Sequence, residues 1–253
     1  MESEAEGNNM TPSAADHLHE RDGPFWTYVD LALFLCTVLP SFGIAAFAVR
    51  LVRSTAPKLL ANETNITLVF QSLMYGLLLG ALYAVVALRY RRPFWNSLGW
   101  TLPIPRPFAL LLAGPVLAMA LSALGVLLNA PQADSQISKL ITSRAALTEL
   151  MVFGVVLAPV FEELVFRGFL YPLIAQSAGP WAGILLTALP FALLHGAQYT
   201  WAWQQITIIG IAGVVFGFVR YRSGTTAASS LLHAAYNLTG FAGYIVSRWA
   251  TLS

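Results

Sequence analysis

The sequence predicts an all-α fold, a polytopic transmembrane helix bundle, and three observations carry that prediction. Hydrophobic residues make up 57 % of the 253-residue chain and charged residues only 10 %, where a soluble domain carries about 25 %. Mean hydropathy is +0.66. Long apolar runs recur along the chain, each bracketed by charged or polar residues. So few charges could not cover the surface of a water-soluble globule, which makes the bilayer the expected solvent and the cell membrane the expected location.

A helix needs about 20 apolar residues to cross a bilayer. Asp30 and Arg50 bracket a first span near 31–49, and Glu63 and Arg89 a second near 67–88. The second contains Gly76-Leu-Leu-Leu-Gly80, a small-residue spacing that lets helices approach closely. The stretch 93–100 is too short to cross, and its tryptophans suit the headgroup region. A third span is expected near 108–129, followed by a polar connection over 130–144 and a fourth span near 147–174. No charged residue occurs between Arg167 and Arg220. Gly179-Pro180 and the polar–aromatic cluster 198–205 divide that stretch into a fifth span near 181–197 and a sixth near 206–219. A seventh runs near 227–245. Gly210, Gly213 and Gly217 on the sixth read as helix-packing residues.

Three organisational units follow: a disordered acidic tail over 1–24, N-terminal transmembrane helices over 25–145 and a catalytic bundle over 146–246. The first has no basic segment leading into a short apolar one, so it does not read as a signal peptide. The compact arginine clusters Arg89-Tyr-Arg-Arg92 and Arg220-Tyr-Arg222 favour a cytoplasmic N-terminus. A net charge of +2 without basic runs argues against nucleic acid as a partner. The single cysteine, Cys36, allows neither an intrachain disulfide nor a cysteine-based zinc site.

The chemistry concentrates in the fourth span, where Glu162 and Glu163 interrupt a membrane-grade apolar run. A carboxylate at that depth costs about 2.5–3.5 kcal/mol on insertion scales, so such residues are functional candidates. On a helix, residues four apart share a face and adjacent residues diverge. Glu163 and Arg167 are therefore expected to pair, leaving Glu162 for other work. Pro159 weakens the ladder just before them and could open space for water. His195 and, four residues apart, His233 and Asn237 occupy two further spans. Burying this polarity at separate places would cost several kcal/mol, so the groups are expected to converge. A carboxylate with a neutral histidine can activate a water, and a histidine with an asparagine can supply donors to an oxyanion. The Gly-x-Ser-x-Gly and His-Glu-x-x-His patterns are absent, so hydrolysis by activated water is the expected reaction class.

Glu162-Glu163-x-x-x-Arg167, Phe191-x-x-x-His195 and His233-x-x-x-Asn237, in that order on separate apolar helices, resemble the CAAX prenyl protease type II and bacteriocin-processing family (CPBP, or Abi). The resemblance covers about 146–246. It implies that Glu162 is the general base, aided by His195, that Glu163 orients the site through Arg167, and that His233 and Asn237 stabilise the oxyanion. Phe191 is expected to be a packing residue. No cofactor is favoured, although Glu and His are legitimate ligands for Zn2+ and family members are often described as metalloproteases. The expected function is thus an intramembrane endopeptidase acting near the membrane surface on a peptide or protein, with lipid-modified substrates among the candidates. The competing readings are a non-catalytic immunity or scaffold protein that binds a peptide in the same cavity, and a proton-coupled transporter. The absence of interrupted helices recurring as inverted repeats argues against the transporter.

Overall fold

The computed structural model describes residues 23–131 and 136–248. Of the expected acidic tail, all but Gly23 and Pro24 lie outside the described residues, as does part of the 130–144 connection. The regular structure among the described residues is entirely helical, with no strand. Seven long helices carry the fold: α1 (Tyr28–Thr55), α2 (Glu63–Arg89), α3 (Pro107–Leu127), α4 (144–178), α5 (Pro180–Leu194), α6 (Trp203–Ser223) and α7 (Thr226–Arg248).

Their ends follow local chemistry. Asp30, read from the sequence as a bracket outside the first span, is fully buried inside the start of α1. Its carboxylate accepts the Thr27 N–H at 2.8 Å and the Tyr90 hydroxyl at 2.6 Å, and it meets Arg89 Nε at 3.2 Å. Its charge is therefore compensated as burial demands. The helical register of α1 slips at Thr37, where Pro40 removes the N–H that would have reached Cys36. Asn62 caps α2 by accepting the Asn65 N–H, and Ser143 caps α4 by accepting that of Ala146. Gly224, at φ 72°, closes α6 in a left-handed conformation that suits glycine.

Four helices, α1, α2, α3 and α6, are long and apolar enough to cross a membrane, where the sequence led us to expect seven spans. α5 has 15 residues, about 22 Å of helix against a hydrocarbon core of about 30 Å. The other two, α4 and α7, carry all the polar residues of the expected site except His195, which follows α5.

The closest pairings are α3 with α7 and α5 with α6. A Cβ added at Gly114 would stand 2.7 Å from the backbone of Ala235 and Tyr236, so α3 and α7 touch almost backbone to backbone. Gly213 and Gly217 likewise abut Ala188 and Ile184, as the packing role expected of them requires. Gly76 and Gly80 differ: nothing among the described residues lies within 4 Å of a Cβ added there, so their spacing is not used for close approach among those residues. Gly114→Ala is expected to destabilise the bundle by about 1–3 kcal/mol, because two backbones must separate to admit one methyl group. A lowered midpoint of thermal unfolding in detergent checks it.

Candidate active site

Helix α4 is one continuous element built from alternating registers. Arg144–Val152, Ala158–Glu163 and Tyr171–Ala178 are α-helical, while Phe153–Leu157 and Leu164–Leu170 are π-helical. Each π stretch runs up to a proline. Ala158 N–H reaches back five residues to Phe153 O, and the next donor in that register would be Pro159, which has no N–H. The carbonyl of Gly154 is thereby released, and Asn237 of α7 donates to it at 2.8 Å. The pattern repeats at Tyr171, whose N–H reaches Phe166 O, and at Pro172. Here the released carbonyl of Arg167 accepts Arg220 Nε at 3.2 Å. Side chains from neighbouring helices thus resatisfy backbone groups that could not remain bare in an apolar medium.

Glu162 and Glu163 lie between those two bulges, and Arg167 lies within the second. Arg167 Nη1 donates to Glu163 Oε1 at 3.0 Å, and both side chains are wholly buried. The spacing of four survives into the π segment, so the expected pair forms. Arg167 Nη2 also donates to Gly213 O at 2.7 Å. Its guanidinium lies 4.6 Å from the ring centroid of Phe191 and 5.6 Å from that of Phe216. Phe191 is therefore more than packing, because its π-face takes part in holding a buried cation.

Glu163 Oε1 accepts a second bond, from His233 Nδ1 at 3.0 Å. A carboxylate can only accept, which assigns the His233 proton to Nδ1 and leaves Nε2 facing outward. The ring is held flat against Phe216, with centroids 4.4 Å apart, and is 4 % exposed. Its Nε2 lies 3.9 Å from Glu162 Oε2. That gap is too long for a direct hydrogen bond and suits a water bonded to both atoms. Among the described residues Glu162 Oε2 has no hydrogen-bond partner, whereas its Oε1 accepts the hydroxyl of Tyr75 from α2 at 2.8 Å.

Four of the six residues expected at the site, Glu162, Glu163, Arg167 and His233, thus form one connected cluster. Asn237 follows one turn after His233 on α7, with one amide hydrogen committed to Gly154. His195, at the end of α5, makes no hydrogen bond or ion pair with either glutamate. Its Nδ1 donates to Phe191 O at 2.7 Å, and its ring rests 4.8 Å from that of Phe191, which in turn lies 5.8 Å from the ring of His233. Of the two histidines it is His233 that lies 3.9 Å from Glu162, while the resemblance implies that His195 aids that glutamate. Tyr75 was missed. The available signal was Gln71 and Tyr75, four apart in a stretch with no charged residue between Glu63 and Arg89.

Among the described residues no three His, Cys, Asp or Glu side chains converge to hold a metal ion. Glu162 and His233 supply two of the three protein ligands that a catalytic zinc site uses.

Residues 144–239 match the family model described as type II CAAX prenyl endopeptidase Rce1-like. This segment of the chain is Rce1-like. It spans α4 to most of α7 and contains Glu162, Glu163, Arg167, His195, His233 and Asn237. The UPF0177 protein YbdI of Lactococcus lactis subsp. lactis (strain IL1403) is 31 % identical over 87 residues, which are 34 % of this chain and 44 % of that protein. The chain therefore covers less than half the length of this curated relative. No solved structure matches.

Proposed function

We propose that this membrane protein is an intramembrane endopeptidase that hydrolyses a peptide bond of a peptide or protein substrate with a glutamate-activated water. The observation that carries the reading is the unpartnered Glu162 Oε2 facing His233 Nε2 across 3.9 Å, within a segment that is Rce1-like. A water in that gap is polarised from both sides. Glu162 accepts its proton as the oxygen attacks the peptide carbonyl, and the same proton then passes to the departing amine.

The remaining groups support that step. Asn237 has a second amide hydrogen for the developing oxyanion, and His233 adds a donor at Nε2 when it carries a second proton. Glu163, itself fixed by Arg167, orients the His233 ring. His195, with its proton on Nδ1, keeps Nε2 as an acceptor at the edge of the site. A purely peptide-binding protein has no use for an open carboxylate oxygen opposite an oriented imidazole.

The test is a proteomic comparison of membranes containing the wild-type protein with membranes containing Glu162→Ala. At least one peptide is expected to stop being cleaved. Identical peptide profiles, with equal amounts of folded protein, would sink the assignment.

A further inference from the structure

We propose that Tyr75 is a positioning residue of this site, and that α2, which lies outside the Rce1-like segment, completes the active site. The proposal rests on the reading of Glu162 as the base.

The hydroxyl of Tyr75 donates to Glu162 Oε1 at 2.8 Å. The ring behind it is clamped by two aromatic rings of α4, stacking on Phe161 with centroids 3.8 Å apart and planes 15° apart, and on Phe153 at 5.6 Å and 22°. Both contacts come from the helix that carries Glu162. The hydroxyl is therefore indexed to α4 and not only to its own helix. A tyrosine has few rotatable bonds, and stacking on both neighbours removes most of the freedom that remains.

This contact decides which oxygen of Glu162 does the chemistry. A carboxylate offers two equivalent oxygens and turns readily about its last torsion. With Oε1 committed to Tyr75, Oε2 alone points at His233 Nε2, and the plane of the carboxylate is fixed. Without the hydroxyl, Glu162 is free to turn away from the water it must deprotonate. Misplacement of this kind lowers rate more than binding, since the geometry matters most in the transition state. Tyr75 touches the base and not the substrate, which makes its role one of positioning.

The test uses the peptide whose cleavage depends on Glu162. Tyr75→Phe keeps both stacks and removes only the hydroxyl. Its kcat is expected to fall about 10- to 100-fold, the range for losing one hydrogen bond to a charged group, with KM unchanged and the amount of folded protein in detergent unchanged. Added to Glu162→Gln, Tyr75→Phe is expected to cause no further loss. Tyr83→Phe, on the same helix and 49 % exposed, serves as a control with wild-type turnover. A wild-type kcat for Tyr75→Phe overturns the proposal while leaving the Glu162 assignment intact. So does a loss confined to KM, which indicates a substrate contact, or a loss confined to folded protein, which indicates a structural tie. If no peptide depends on Glu162, the functional reading fails and takes this proposal with it.

Discussion

Glu162→Gln is expected to lower peptide hydrolysis by at least about 100-fold while leaving the protein folded. General-base catalysis contributes about 10²–10⁴-fold, and glutamine removes the base while keeping the size and shape of the side chain. The surroundings tolerate the change. Glutamine retains a carbonyl oxygen to accept the Tyr75 hydroxyl, which Glu162 Oε1 accepts at 2.8 Å. The other oxygen has no partner to lose, and Glu162 is 12 % exposed where Glu163 is fully buried. Adjacent glutamates of the same helix thus make opposite predictions, one for turnover and the other for folding. The measurement is initial cleavage rate per folded molecule, with the folded amount read by size-exclusion chromatography in detergent. Near-normal cleavage by a well-folded Glu162→Gln protein would falsify the role of this carboxylate as the base.

What could be read in the sequence divides along the line between intrahelical and interhelical geometry. Glu163 and Arg167 pair as spacing requires, because a separation of four holds them on one face in either helical register. Pro159 announced a weakened ladder, and a π stretch lies there. That Asn237 would cap the freed carbonyl depends on how α7 packs against α4, which no local pattern encodes. The choice between His195 and His233 beside Glu162 is of the same kind. Each belongs to an apolar run of sequence, and the close approach of α7 to α4 is what brings His233 to the glutamates. Glycine spacing misled at Gly76 and Gly80, which meet nothing among the described residues, while Gly114 approaches the backbone of α7 without any paired-glycine motif. The small partner it needs, Ala235, is distant in sequence. The contribution of α2 was legible only as a polar pair, Gln71 and Tyr75, with no indication of what it faces.

The buried pair beneath the site predicts the largest effect on folding. Glu163 and Arg167 are both fully buried and joined by a 3.0 Å bond, and among the described residues Arg167 has in addition the Gly213 carbonyl and the aromatic faces of its pocket. Removing one partner leaves an uncompensated charge in the bundle, which costs about 3–5 kcal/mol. Glu163→Gln and Arg167→Gln are therefore each expected to reduce the yield of folded protein sharply. Their combination is expected to recover part of it, because the double variant buries two neutral amides instead of one bare ion. Turnover is expected to behave differently. Glu163 also holds His233 Nδ1 at 3.0 Å, so the double variant regains fold without regaining an oriented imidazole and remains impaired per folded molecule. Arg167→Gln, which keeps that carboxylate, is expected to retain more activity per folded molecule than Glu163→Gln. A double-mutant cycle on unfolding midpoints in detergent decides the pairing: independent, additive losses contradict it, while a coupling of 0.5–3 kcal/mol, the range for residues in direct contact, supports it.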